Sequence, residues 1–258
     1  MADPSDRAGT GHVQPSFPEV RAFLGGGITP SALFSCQSGH NRPIEGMKRE
    51  KPDFQFETCA IEAGARYVVG VDEAGRGPLA GPVTAAAVWL DPAQIPEGLN
   101  DSKKLSDKKR EALYAQLLEC AHVSVVHVSV REIEEINIRA ASLLAMERAV
   151  AQLPQVPDHV LIDGNALPKN LPCPAEAIVK GDARSLSIAA ASIVAKTCRD
   201  RIMVDLAQQH PGYEWEKNMG YPAPAHLEAL RNLGVTPHHR RTFKPVHNIL
   251  YQVKLVSD

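Results

Sequence analysis

Two adjacent acids, Asp72 and Glu73, close the apolar run Val68-Val69-Gly70-Val71 and are followed by Gly75-Arg76-Gly77. An acid pair after a strand is commonly a solvated turn. Asp163, however, follows Val160-Leu161-Ile162 in the same way, and Asp182 stands in Lys180-Gly181-Asp182 just before a long Ala-rich segment. Taken singly, Asp182 reads as a helix N-cap and Asp163 as a strand-end turn. Taken together, four carboxylates brought to one place by neighbouring strands, with no arginine cage, would repel unless divalent cations neutralised them. Hard oxygen donors favour Mg²⁺ or Mn²⁺ over zinc. Two such cations, roughly 3.5 to 4 Å apart, activate a water and steady a leaving oxygen, which is the chemistry of phosphodiester hydrolysis.

The elements that must position these acids are an α/β set. Tyr67–Val71 and Val83–Leu90 read as strands, Leu105–Cys120 as an amphipathic helix with Ser106 as N-cap, and His122–Val130 as a half-buried strand of alternating Val. Helical stretches at Arg131–Glu135 and Ile138–Gln152 precede short strands at His159–Ile162 and Glu176–Val179. Arg184–Gln209 reads as a long helix whose alanines permit close packing on a sheet, and Ala225–Leu233 as a smaller helix. This order predicts a central mixed β-sheet flanked by helices on both faces, not a purely parallel doubly wound sheet. The Gly-x-Gly does not make a dinucleotide fingerprint, because Pro78 breaks the chain where a phosphate-binding helix should open.

Residues 1–65 mix Gly, Pro, Ser and charge without a sustained period and read as a disordered N-terminal extension, with Met47 an alternative natural start. The catalytic core is expected over 66–212, with a C-terminal helical and loop region over 213–258 completing the substrate site. Five cysteines without C-x-x-C spacing suggest neither a zinc site nor a disulfide framework, and a cytoplasmic location fits. A net charge of -2 neither demands nor excludes a nucleic acid, and no apolar run is long enough for a membrane span.

The combined motifs resemble ribonuclease HII. They are VVGVDEAGRGPLAGPV (68–83), Asp101-Ser102-Lys103-Lys104-Leu105, Leu161-Ile162-Asp163-Gly164, Lys180-Gly181-Asp182, the run from Ala189 to Lys196 ending near Arg199-Asp200-Arg201, and Gly220-Tyr221-Pro222 with His226. The resemblance spans about Tyr67 to Val246. It implies a ribonuclease H-like fold, hydrolysis of RNA in RNA/DNA hybrids, and incision 5′ to single ribonucleotides in duplex DNA, leaving a 3′-hydroxyl and a 5′-phosphate. By position it makes Asp72, Glu73, Asp163 and Asp182 the metal-binding acids, served by two Mn²⁺ or Mg²⁺ ions. Asp200 competes as fourth acid, but between Arg199 and Arg201 inside a helix it reads as ion-paired.

Acting on a lone ribonucleotide requires detecting one 2′-hydroxyl. The resemblance gives that task to Gly75, Arg76 and Gly77, with Tyr221 packing on the sugar. Ser102 and Lys103, with Lys104, form one candidate phosphate-contacting patch, and Arg240 with Arg241 and Lys244 another; neither would read base identity. Met219 and Ala223 depart from the lysine and the polar residue frequent at those places in the family. Rival readings are a binding protein without turnover, a DNA nuclease of the same superfamily, and a small-molecule phosphatase. The resemblance also implies a monomer.

Overall fold

The computed structural model describes residues 51–251. The disorder expected before residue 51 and the alternative start at Met47 lie outside them. In chain order the described elements are α1 (Gln55–Glu62), β1 (Val68–Ala74), β2 (Val83–Leu90), α2 (Asp107–Cys120), β3 (Ala121–Val128), α3 (Val130–Ile136), α4 (Ile138–Ala151), β4 (His159–Asp163), β5 (Ala175–Ile178), α5 (Leu186–Gln209), α6 (Trp215–Asn218), α7 (Pro224–Leu233) and α8 (Lys244–Tyr251).

The strands form one sheet in the order β3-β2-β1-β4-β5. β1 pairs antiparallel with β2, and β2 with β3, whereas β1, β4 and β5 run parallel. The sheet is therefore mixed, as the spacing of the apolar runs predicts. Its faces separate by the period-2 rule. Ala85 and Ala87 of β2 join Val69 and Val71 of β1 in a core closed by Ala141, Ala145 and Ala149 of α4. Ala86 and Val88 face the other way, onto Ala189, Ala190 and Ile193 of α5 and Leu113 and Leu117 of α2. Gly70 lets α5 approach this face, since a Cβ there would come within 2.1 Å of the Ser187 backbone.

The N-terminal boundary needs correction. Residues 51–65, assigned above to a disordered extension, contain α1, and Glu57 of that helix is fully buried. Its Oε1 accepts from the Ser185 hydroxyl and from the Ser187 hydroxyl and amide at 2.6 to 2.9 Å. A carboxylate at the start of α5 satisfies free N–H groups and complements the helix dipole. The boundary at 212 is also not a break in packing: Met203 and Leu206 of α5 share a core with Trp215, Leu230 and Val246.

Candidate active site

Parallel pairing of β1 with β4, Val71 beside Ile162, brings the C-terminal ends of these strands together. Asp163 ends β4 and pairs in turn with Ile178 at the end of β5. Asp182 follows within the 3-10 turn Gly181–Ala183, and the N-cap of α5 is Ser185, so Asp182 is free of the capping role. Asp163 Oδ1 accepts the Gly181 amide at 2.7 Å, which fixes the Asp182 turn against β4. Both Asp72 and Asp182 are buried.

Strand β1 continues through the acid pair, so Asp72 and Glu73 project toward opposite sides of the sheet's edge. Asp72 meets the Ser192 hydroxyl of α5, which in turn bonds Ser102 at 2.8 Å. Glu73 meets Arg76 at 3.1 Å. With Asp163 it lines a cleft shared with Arg76, Arg139, Ser142 and Asn165. The carboxylates sense one another across this edge. Burial, then Glu73, Asp163 and Asp182, push the Asp72 carboxyl well above its usual range. Burial raises Glu73 despite the opposing pull of Arg76, and burial with Asp101 and Asp163 raises Asp182. Among the described residues no three His, Cys, Asp or Glu side chains are already gathered around a point that could hold a metal. Glu73 is turned to Arg76 and Asp163 to the Gly181 amide. The donors fit hard divalent cations in kind, being all oxygen and held close enough to oppose one another's ionisation.

The expected substrate contacts divide. Gly77 lies under Tyr221, where a Cβ would come within 3.3 Å of the ring, so the Gly-Arg-Gly loop and the tyrosine are neighbours. Tyr221 is 45% exposed. Lys103 is exposed 3.6 Å from Asp182; burial works to lower its pKa, but Asp182, Asp101, Asp72 and Asp163 together raise it. Ser102, expected in a phosphate-contacting patch, is buried and its hydroxyl is bonded to that of Ser192. Arg240, expected in the second such patch, is fully buried, and its guanidinium donates to the carbonyls of Gly75, Arg76, Gly81 and Pro82. Arg241 is exposed, with its backbone amide on Glu134. Asp200 pairs with Lys196 and, at 3.7 Å, with Arg110, as its helical setting suggests, although it is largely covered.

Sequence reasoning missed Arg139, whose place on the cleft depends on how α4 crosses the sheet. Arg199 and His226 stand in the motifs quoted above without an assigned role, and the burial of these two and of His239 is not marked by apolar periodicity. A separate hollow of about 430 Å³, lined by Val150, Leu153, Val156 and Leu171 among others, holds no titratable group and lies apart from the acids.

The sequence profile described as Ribonuclease HII matches residues 69–246. A curated ribonuclease HII of Ruegeria pomeroyi is 65% identical over 222 residues, covering 86% of this chain and 95% of that protein. The solved ribonuclease H2 of Pyrococcus horikoshii OT3 superposes with a TM-score of 0.60 at 28% identity, over 71% of this chain and 97% of its own. Bst-RNase HIII, solved in complex with Mn²⁺, gives 0.55 at 19% identity over 76% of this chain and 72% of its own, which bears on the fold alone.

Proposed function

The chain belongs to the ribonuclease HII family, endoribonucleases that hydrolyse RNA in RNA/DNA hybrids, and on that premise we propose that Asp72, Glu73, Asp163 and Asp182 carry the reaction with two divalent cations, Mn²⁺ or Mg²⁺. The observation that supports this most is the mutual field of the four acids at the C-terminal ends of three parallel strands. When bound, the cations would supply a water nucleophile at neutral pH and charge to the leaving oxygen. The residues' own tasks are separable. Asp163 orders the turn carrying Asp182, Ser192 holds Asp72, and Glu73 would exchange Arg76 for cation. Lys103, beside Asp182, provides positive charge where a substrate phosphate would come near.

Selectivity for ribose falls to Gly75, Arg76, Gly77 and Tyr221. The ring packed on Gly77 would stand against the sugar while loop amides and carbonyls meet its 2′-hydroxyl. The enzyme would thus incise on the 5′ side of single ribonucleotides in duplex DNA, leaving a 3′-hydroxyl and a 5′-phosphate, and act in ribonucleotide and RNA-primer removal. Arg241 is the second candidate phosphate contact. We assign it to the cytoplasm as a monomer; among the described residues no helix is long and apolar enough to cross a membrane. The test is incision of a labelled duplex holding one ribonucleotide beside an all-DNA duplex, with either metal and an Asp72→Ala control. Metal-dependent cutting only beside the ribonucleotide is expected. Cutting of both duplexes would overturn the ribose assignment, and cutting by the control would overturn the metal site.

A further inference from the structure

One segment, Thr236–Arg240, fastens both walls of the proposed ribose site. On one wall Arg240 Nη2 donates to the Gly75 carbonyl at 2.6 Å and Nη1 to the Arg76 carbonyl at 3.1 Å. Between the walls, residues 79–81 are stitched to both neighbours. The Leu79 amide donates to the Gly220 carbonyl, the Arg240 amide to Leu79, and the Gly81 amide to His238, at 2.7 to 2.9 Å.

The other wall is reached through two fully buried histidines. Trp215 Nε1–H can only donate, and it lies 3.0 Å from His226 Nε2. That nitrogen is therefore an acceptor, and the His226 proton resides on Nδ1, which donates to the Tyr221 carbonyl at 2.8 Å. His239 Nε2 stands 3.0 Å from the same His226 Nε2 and must carry a proton to meet it. His239 Nδ1 is then the acceptor of the Thr236 amide at 3.0 Å. Each ring nitrogen has one permitted role, so the tautomer of each ring is dictated by its neighbours. Burial keeps both rings neutral, His239 with its pKa brought down to about 3.

We propose that His226, itself oriented by His239 and Trp215, is a positioning residue that sets where Tyr221 stands over Gly77 and so governs recognition of a single ribonucleotide. The inference rests on the assignment of Tyr221 as the ribose-contacting ring. An aromatic ring that is nearly half exposed, on a loop between Gly220 and Pro222, would otherwise have to be ordered when substrate binds. A hydrogen bond from a buried imidazole to its own carbonyl does that ordering in advance.

Two substitutions separate positioning from packing. His226→Gln can keep an acceptor for Trp215 and His239 but cannot reach the Tyr221 carbonyl. His226→Asn can keep an N–H near the place of Nδ1 and so the Tyr221 contact, while losing the acceptor. Steady-state cleavage of a single-ribonucleotide duplex and of a long RNA/DNA hybrid is measured for both, with thermal melts and with Tyr221→Ala alongside. His226→Gln is expected to lose about ten-fold in kcat/KM on the single ribonucleotide and much less on the long hybrid. His226→Asn is expected to melt lower yet cleave close to the parent. Parent-like cleavage by His226→Gln, or equal losses by both variants on both substrates, would overturn the positioning role while leaving Tyr221 as sensor if Tyr221→Ala is impaired. Parent-like cleavage by Tyr221→Ala would overturn both.

Discussion

Arg199 and Arg240 donate to the same acceptor, the Pro82 carbonyl, at 3.0 and 3.1 Å. Arg199 also reaches the Ala80 and Met219 carbonyls at 3.0 Å. No carboxylate ion pair to either guanidinium is found among the described residues; backbone carbonyls meet both buried charges, with the Phe243 ring 5.1 Å from the Arg240 guanidinium. Desolvation, and for Arg240 also the neighbouring Arg199, brings their pKa values down to about 10 and about 9. Such a pair orders the turn from Gly75 to Pro82 from beneath, which leaves Arg76 and Gly77 on the surface.

Because lysine cannot span three carbonyls, Arg199→Lys should destabilise the fold by about 3 kcal/mol, the scale of a buried hydrogen-bonded charge losing its partners. Denaturant unfolding followed by circular dichroism checks this. A change within error of zero would mean the carbonyls find water instead.

Asp163→Asn and Asp72→Asn should reduce cleavage to background. They should also raise the metal-free melting temperature by about 2–4 °C, corresponding to roughly 1 kcal/mol of relieved repulsion in a chain of this size. Calorimetry beside the incision assay tests both halves. Retained cleavage would remove the substituted residue from the metal set.

Lys103→Ala and Arg241→Ala should each weaken binding of a hybrid without altering which sequences are cut, and each should flatten the salt dependence of log K by about one unit of slope if it meets a phosphate. Arg240→Ala should instead act through stability, because its guanidinium is inside. Titrations at several salt concentrations distinguish the three.

The buried histidines should make stability fall on mild acidification, against the raised carboxyls of Asp72, Glu73 and Asp182, which act in the opposite direction. His239, held to about 3 by burial first and then by His226, His238 and His210, binds its proton later than in the unfolded chain. Between about 6.5 and about 3 the unfolded state therefore carries the extra proton, and stability drops by roughly 1.4 kcal/mol for each pH unit lost to that group. Burial lowers His226, His127, His159 and His238 too, so they add in the same direction. Melts from pH 7.5 to 5 of the parent and of His239→Gln should show the shallower slope in the variant. Equal slopes would locate the acid sensitivity in the other histidines.

Glu57→Ala should cost about 3 kcal/mol, since it strips a buried acceptor from three donors at the start of α5. Urea unfolding gives the value directly.

The sheet and most helices were legible because their sequences carry one periodicity each. Ser106, Ser129 and Ser185 cap the helices that follow them. The places of Asp72, Glu73, Asp163 and Asp182 in the fold were legible because each ends or follows an apolar strand. What escaped was polar burial. Glu57 sits in a segment whose composition resembles a solvated linker, and only the distant Ser185 and Ser187 reveal its purpose. Arg240 beside Arg241 reads as one basic patch, yet the bridge of Ala80 to His239 turns the first inward and leaves the second outside. Asp72 and Glu73, adjacent in sequence, diverge because β1 extends through them.

The parallel union of β1 with β4 joins Val68 to His159, so the first and third acids meet only after the intervening β2, β3 and α4 have been made. During synthesis Asp72 and Glu73 emerge before β4, β5 and the Asp182 turn, so the four acids can come together only once those later elements have left the ribosome and docked. Long-range closure of this kind is slow relative to local helix formation. On the proposed assignment this separates the acids in time as well as in sequence: a translation product that stopped before β4 would hold only Asp72 and Glu73 of the four.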